Sequence, residues 1–256
     1  MCLVVIAHRA HAEYPLLIAG NRDEFHSRPT EDARWWPDQP DVLGDRDLQA
    51  GGSWLAVHRN GRFATVTNFR DAEPSTDDAM SRGELVTGFL LSENAPIDYV
   101  SAVDGERYGG FNLLVGDGRE LAYLSNRDGD GRLLPPGIYG VANATLDTPW
   151  AKVERSKSLL HSIIESDSVN ATTLLRLLDD RKPAHVEEAD TSRLPFDKAH
   201  ALTAPFVVLP DYGTRSSTVV IGDIDGHVTL TEKRFKPNGE PSGESDYRFR
   251  IDQAAS

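Results

Sequence analysis

The chain has 256 residues and a mass of 28.2 kDa, which is enough for one large domain or two small ones with a substantial buried core. Its formal charge of −13 disfavours a nucleic-acid partner, because affinity for nucleic acids comes largely from neutralising phosphates with lysine and arginine. A single cysteine excludes an intramolecular disulfide, and no apolar stretch reaches the ~18 residues of a membrane span. The sequence predicts an acidic, cytoplasmic, globular protein with no cofactor.

The chain begins with two short apolar runs, at residues 2–7 and 16–20. Both are typical of buried strands, and their spacing predicts a hairpin. Residues 21–52 are rich in proline, aspartate and arginine without clear periodicity, so this stretch is expected to be a long loop of the kind that usually carries function.

Strands are predicted next on either side of Asn60-Gly61, a strong hairpin signal. Ser81 and Glu84 resemble a capping pair at the start of a helix over 81–92, and a second helix is expected over 97–103. Apolar runs between turn residues then predict three strands, at 111–116, 121–125 and 138–142.

The second half contains the most regular helical periodicity, over residues 150–166 and 170–181. Residues 182–205 have mixed polarity and are expected to form a mobile excursion. Two strands, at 217–221 and 227–232, follow, and a polar C-terminal tail begins at about residue 236. Because strands and helices occur in separate blocks, the order predicts a single α+β domain over residues 1–256.

Cys2 is the only sulfur nucleophile, and it directly follows the initiator methionine. Removal of Met1 would leave one residue with both a thiol and a free α-amine of pKa ~7.7–8.0, which can act as general base for the thiol. The alternative is an N-terminal strand that begins with a small buried hydrophobic residue.

Polar residues after the second strand are expected to lie beside Cys2, since the hairpin brings them together. Asp23 could hold a protonated amine, while Arg22 could bind a substrate anion or lower the pKa of the thiol. As a bare tetrapeptide, residues 21–24 could equally be a solvated turn.

Two asparagines, Asn68 and Asn143, each end an apolar strand, where an amide can donate to a developing oxyanion; a turn or cap is the alternative. Arg215 comes just before a strand and could orient a carboxylate or the nucleophile, or form a surface ion pair. The eight histidines show no zinc-ligand spacing, so no metal site is predicted.

Several motifs, in order, resemble one family. They are Cys2, the tetrapeptide Asn21-Arg22-Asp23-Glu24, Arg28-Pro29, residues 44–48 and 51–54, residues 67–70, residues 140–143 and residues 212–218. Together they resemble the NRDE family, also called the transport and Golgi organisation protein 2 family, which is similar to N-terminal-nucleophile (Ntn) hydrolases of the choloylglycine and penicillin V acylase type.

The resemblance implies a four-layer αββα sandwich with two stacked, mainly antiparallel sheets. It also implies a catalytic set in one pocket; the members of this set are Cys2, Asp23, Asn68, Asn143 and Arg215. Substrate-binding residues are expected at Asn21, Arg22, Arg28, Arg70 and Tyr212. In one departure, Gly20 occupies the position where the acylases usually carry arginine.

Two functions follow as hypotheses. The first is an amidohydrolase that acts on a small acylated, anionic amide through a Cys2 acyl-enzyme, with the anion bound by a cluster of arginines. The cluster comprises Arg22, Arg28, Arg46, Arg70 and Arg215, which alternatively pair with the neighbouring Asp45, Asp47 and Asp71. The second function is a non-enzymatic carrier or trafficking protein for an acyl-lipid or haem-like ligand.

Overall fold

A computed structural model describes residues 2–70, 79–192 and 194–252. In this part of the chain, two antiparallel sheets are flanked by α-helices. The first sheet contains, in spatial order, β10 (Gly137–Val141), β1 (Cys2–His8), β2 (Leu16–Phe25), β11 (Tyr212–Gly222), β12 (His227–Phe235) and β13 (Pro241–Arg250). The second contains β3 (Thr30–Trp36), β4 (Gln39–Asp47), β5 (Leu55–His58), β6 (Phe63–Asn68), β7 (Phe111–Gly116), β8 (Leu121–Ser125) and β9 (Arg132–Leu133).

The helices form the outer layers. They are α1 (Gly83–Leu90), α2 (Pro96–Ala102), α3 (Ala151–Glu165), α4 (Ala171–Leu178) and α5 (Phe196–Ala201). Apolar residues of α3 and α4 pack on one face of the first sheet, and those of α1 and α2 pack on the second sheet. A third core fills the space between the sheets. The expected αββα sandwich is therefore confirmed.

The predicted N-terminal hairpin is confirmed and is longer than expected. β1 is buried along its whole length, because it lies inside the sheet between β2 and β10. Its register places Cys2 opposite Arg22 and Val4 opposite Val141. This register brings the beginning of the chain to one edge of the first sheet, together with the residues that follow β10.

The loop expected at residues 21–52 is wrong, because β2 continues to Phe25 and β3 and β4 follow. Their charged and proline residues gave no strand pattern, although β3 buries Ala33 in the core between the sheets and Trp36 in the core beneath α1 and α2. The polar C-terminal segment also contains more structure than a tail. β13 alternates exposed residues with half-buried ones, including Tyr247 and Phe249, which pack on the core between the sheets.

Residues 182–205, expected to be a mobile excursion, contain α5 in their described part. Ala199 in α5 and Leu202 just after it are buried, at 3% and 6% exposure. The segment therefore contributes to the core.

Candidate active site

Cys2 lies at the start of β1 and is 6% exposed. It lines a cavity of about 420 Å³, called here the Cys2 cavity. The residues that define this cavity are Cys2, Arg22, Asp23, Trp54, Asn68 and Arg82. The cavity is open to small molecules at the edge where β1 begins.

Burial dominates the electrostatics of the thiol. It raises the pKa of Cys2 above its ordinary value, whereas the backbone N–H of Asp23 and the charge of Arg22 act in the opposite direction. The lowered pKa expected from a neighbouring arginine is therefore wrong, because desolvation is the larger effect. A thiol of this kind is protonated at neutral pH and needs a base before it can attack.

Arg22, which is opposite Cys2 in the sheet, supplies the arginine beside the thiol, because position 20 has no room for a side chain. A Cβ atom at residue 20 would lie 2.9 Å from the Trp54 ring and 3.0 Å from the carbonyl oxygen of Leu3, so no larger side chain fits there. Arg22 is 5% exposed, and its Nε lies 3.6 Å from Asp45 Oδ2. Its Nη1 is buried without a hydrogen-bond partner among the described residues.

Asp23 is 2% exposed and is held from the neighbouring strand β11. The hydroxyl of Thr214 donates to Asp23 Oδ1 at 2.7 Å, and the hydroxyl of Tyr212 donates to the Asp23 carbonyl at 2.9 Å. Burial raises the pKa of the Asp23 carboxyl to about 6. Tyr212 thus positions the backbone of Asp23 and does not line the Cys2 cavity.

The register of β10 explains why Asn143 approaches Cys2. Val141 is opposite Val4, so a continuation by two residues places Asn143 level with Cys2. Asn143 Nδ2 donates to the carbonyl of Asn68 at 2.7 Å, and the backbone N–H of Arg70 donates to the carbonyl of Asn143 at the same distance. These bonds join the end of β6 in the second sheet to the edge of the first.

Asn68 and Asn143 face different spaces. Asn68 is exposed and lines the Cys2 cavity, whereas Asn143 is 1% exposed and lines a second cavity of about 320 Å³. This space, called here the Lys152 cavity, is defined by Phe69, Arg70, Asn143, Trp150, Lys152 and Leu202. The single pocket expected from the sequence is divided between these two cavities.

Arg215 is directed away from both cavities. Its Nη1 donates to the carbonyls of Phe25, His26 and Arg28 at 2.9, 3.3 and 3.1 Å. The pairing of β11 with β2 shifts between Thr214 and Ser216, and this irregularity turns the intervening side chain towards the connection after β2. In this structure Arg215 holds a loop.

Asn21 makes a complete set of structural hydrogen bonds. Its Nδ2 donates to the carbonyls of Leu178 and Pro205, both at 2.9 Å, and its Oδ1 accepts from the hydroxyl of Ser217 at 2.6 Å. It therefore anchors the helical layer to the sheet.

The remaining arginines of the expected cluster are paired with carboxylates. Arg28 Nη2 lies 2.6 Å from Asp47, and Arg70 Nη2 lies 3.4 Å from Asp190. Arg46 makes two bonds to Asp38, at 2.6 and 2.8 Å. The alternative of ion pairing with aspartates thus describes these three side chains. Asp71, one of the aspartates expected to pair with the cluster, lies outside the residues that the structure describes.

Lys152 was not among the site residues predicted from the sequence. It is 2% exposed in the first turn of α3, and the nearby side chains of Asp23 and Cys2 favour its charged form. Burial nevertheless lowers the pKa of Lys152. The available signal was its spacing, because Lys152, Ser156 and Leu160 recur every four residues on the buried face of the helix.

Potential metal ligands come together at the turn between β11 and β12. Asp223, Asp225 and His227 have ligand atoms within 4.8 Å of one another. Asp223 Oδ1 already accepts from the backbone N–H groups of Asp225 and His227, which is the ordinary geometry of a turn.

Comparison with known proteins agrees with the motifs. A family model described as Transport and Golgi organisation 2 matches residues 1–237. The chain belongs to this family. The Transport and Golgi organization protein 2 homolog of Homo sapiens is 36% identical over 242 residues, covering 86% of each chain. Its Drosophila melanogaster relative, Transport and Golgi organization protein 2, is 26% identical over 277 residues, covering 94% of this chain and 95% of the relative.

Solved structures with the same fold are Ntn hydrolases. A cysteine-to-alanine mutant of the conjugated bile acid hydrolase from Clostridium perfringens is similar with a TM-score of 0.55, at 8% identity, over 100% of this chain and 99% of that chain. The Caenorhabditis elegans ortholog of N-acylethanolamine-hydrolyzing acid amidase gives 0.50 at 11% identity, over 86% and 92%. No described helix is long and apolar enough to cross a membrane.

Proposed function

We propose that the protein is a cysteine Ntn amidohydrolase that acts on a small N-acylated compound. The observation that carries this proposal is the position of Cys2. It lies at the beginning of β1, beside a cavity, with Arg22 and Asp23 next to it. The solved structures of similar fold support the proposal, since they belong to a conjugated bile acid hydrolase and to an ortholog of an N-acylethanolamine-hydrolyzing acid amidase.

The raised pKa of the thiol makes a general base necessary, and the α-amine of Cys2 fills this role once Met1 is removed. The amine accepts the thiol proton, and the thiolate attacks the carbonyl carbon of the amide. The resulting ammonium protonates the leaving amine as the C–N bond breaks, and the acyl group remains on Cys2 as a thioester. The amine then takes a proton from water, whose oxygen attacks the thioester, releasing the acid and regenerating the thiol.

Asn68 and Asn143 are assigned to the oxyanion. The amide of Asn68 lines the Cys2 cavity, and Asn143 keeps one Nδ2–H beyond its bond to the Asn68 carbonyl. Asn68→Ala is expected to lower kcat by about 10²–10³-fold, because a donor aimed at the developing charge acts mainly in the transition state. Measured kcat and KM would show this as a loss in kcat with KM little changed.

The test is release of glycine from a series of N-acylglycines, followed by mass spectrometry. The wild-type protein is expected to release glycine, while Cys2→Ala should lose more than about a thousandfold of that rate. Ser156→Ala, a buried change in α3, serves as the control and should keep the wild-type rate. A non-enzymatic carrier for an acyl-lipid or haem-like ligand, the alternative function, would bind such ligands without any release that depends on Cys2.

A further inference from the structure

The Lys152 cavity lies between the beginning of α3 and the edge of the first sheet. Phe69, Trp150 and Leu202 give it apolar walls, and its polar groups include Arg70, Asn143 and Lys152. Its volume of about 320 Å³ is in the usual range for a small-molecule site. The two acidic residues in its lining are already engaged, since Asp190 pairs with Arg70 and Glu188 Oε2 accepts from the backbone N–H of Ala151 at 3.2 Å.

Lys152 is a buried cation that makes few direct contacts with polar groups, although the charge of Asp23 favours its protonated form. Its Nζ makes one hydrogen bond within the described part of the chain, to the carbonyl of Leu202 at 3.3 Å, although an ammonium has three N–H donors. No described carboxylate lies within ion-pair distance of it. Lys157, one turn and a half further along the same helix, instead pairs with Asp147 at 2.7 Å.

The position of Lys152 in α3 adds to the positive charge at this site. Its side chain lies in the first turn of a 15-residue helix, where the helix dipole is positive and cations are disfavoured. Burial and the dipole both destabilise the ammonium, and burial lowers its pKa. An anion in the cavity would relieve both effects.

Asn143 provides a second group without a partner. Its Nδ2 is identified by the bond that it donates to the Asn68 carbonyl, so the other atom of the amide is an acceptor. This Oδ1 is buried and has no hydrogen-bond partner among the described residues. A ligand that satisfies both groups needs an anion for Lys152 and an N–H donor for Asn143.

We propose that the Lys152 cavity binds the carboxylate end of an N-acyl amino acid, with the carboxylate on Lys152 Nζ and the amide N–H on Asn143 Oδ1. This inference rests on the proposed function and names its substrate class. Asn143 lies level with Cys2, so the amide bond would lie between the two cavities, with the amino-acid part in the Lys152 cavity. Arg28, Arg46, Arg70 and Arg215 have carboxylate or carbonyl partners, and Arg22, whose Nη1 has no partner among the described residues, lines the Cys2 cavity; Lys152 is therefore the anchor in the Lys152 cavity.

The test measures binding by calorimetry to the Cys2→Ala protein, which cannot turn over its ligand. The probes are benzoylglycine, its neutral amide benzoylglycinamide, and benzoyloxyacetate, which keeps the carboxylate but has an ester oxygen in place of the N–H. Benzoylglycine is expected to bind about tenfold or more tightly than either analogue, because each analogue leaves one buried group unpaired. Equal affinity for all three probes would overturn the proposal.

Lys152→Met in the same background tests the residue itself. It should abolish the preference for benzoylglycine over benzoylglycinamide, and it should keep or raise the Tm of the unliganded protein, because a long apolar side chain replaces a buried cation that has no ion-pair partner among the described residues. Lys157→Met is the matched control and should keep the preference. Loss of the preference in both variants, or its persistence in Lys152→Met, would contradict the assignment.

The two proposals fail separately. Binding that depends on Lys152 without release of glycine by the wild-type protein would leave this inference standing and contradict the hydrolase. If the wild-type protein releases glycine but binds benzoylglycine and benzoylglycinamide equally well, the hydrolase proposal stands and the inference about the Lys152 cavity is contradicted.

Discussion

Cys2 is subject to opposing influences at the scale of single residues. Burial raises the pKa of its thiol, and the Arg22 guanidinium partly offsets that effect from the neighbouring strand. The side chain is therefore a neutral thiol near pH 7, and such a thiol reacts slowly with oxidants and alkylating agents.

Alkylation with iodoacetamide measures this balance, and Cys2 is the only thiol in the chain. The rate is expected to rise with pH through an inflection above the ordinary pKa of cysteine. Arg22→Met should move the inflection higher and slow labelling at pH 7.5 at least about twofold, since it removes a neighbouring positive charge. Arg28→Met, whose guanidinium pairs with Asp47, is the control and should leave the profile in place. Rapid labelling of the wild-type protein at pH 6 would contradict the account.

Polar contacts join the two sheets at the scale of strands. Glu232 on β12 accepts from the backbone N–H of Ala33 on β3 at 2.9 Å, and Arg234 Nε lies 3.2 Å from Asp32. Glu232 is 1% exposed. Burial, reinforced by the nearby charge of Asp45, raises its pKa to about 7.

Glu232 makes stability fall as pH rises. Its folded-state pKa is above the unfolded value, so its contribution is complete below pH ~4.5 and is lost as pH rises through about 7. Glu232→Gln keeps the Oε1 acceptor and cannot ionise, so its Tm relative to wild type is expected to increase between pH 5 and pH 8. Thermal unfolding at both values measures this. Glu240→Gln is the control. Hydrogen bonding to Asn238 lowers the pKa of Glu240, so its ionisation changes little between pH 5 and pH 8, and the Tm difference from wild type should be the same at both values. A Tm difference for Glu232→Gln that is the same at both values would contradict the raised pKa of Glu232.

β13 completes the first sheet and helps to cover the core between the sheets. The Phe249 ring packs edge-on against Trp35 with centroids 5.1 Å apart. Replacing a fully buried Phe by Ala lowers the free energy of unfolding by ~3–5 kcal/mol. Because Phe249 is half-buried, Phe249→Ala is expected to lower it by roughly 1.5–2.5 kcal/mol, as measured by urea unfolding. The neighbouring Arg248 faces solvent, so Arg248→Ala should lower the free energy of unfolding by less than about 0.5 kcal/mol. Equal effects would mean that β13 does not pack as described.

The elements that could be predicted from sequence are those with an apolar period of their own. β1, β7 and α3 carry such patterns. In β13 charged residues alternate with aromatic ones, and in β3 charged residues precede Trp35 and Trp36 without a clear period, so neither sequence indicates which side chains are buried. Two features of the site also depend on contacts between distant parts of the chain. The bulge that redirects Arg215 depends on pairing with β2, and the burial of Lys152 depends on the chain around Leu202.

The whole molecule places its chemistry where the two sheets meet. The αββα sandwich holds Cys2 at the end of a central strand, and hydrogen bonds between the ends of β6 and β10 connect the second sheet to that edge. The family match extends over residues 1–237 and includes both cavities. Both proposals therefore concern the same edge of the fold.

The most direct test of the central claim is the intact mass of the purified protein before and after reaction with p-nitrophenyl benzoate. Before reaction, the account predicts a chain that lacks Met1 and begins with Cys2. After reaction, it predicts one benzoyl group on the N-terminal peptide that hydroxylamine removes, as expected for a thioester, and no such group on Cys2→Ala. A chain that keeps Met1, or one that acquires no benzoyl group on Cys2, would contradict the claim that Cys2 is an N-terminal nucleophile.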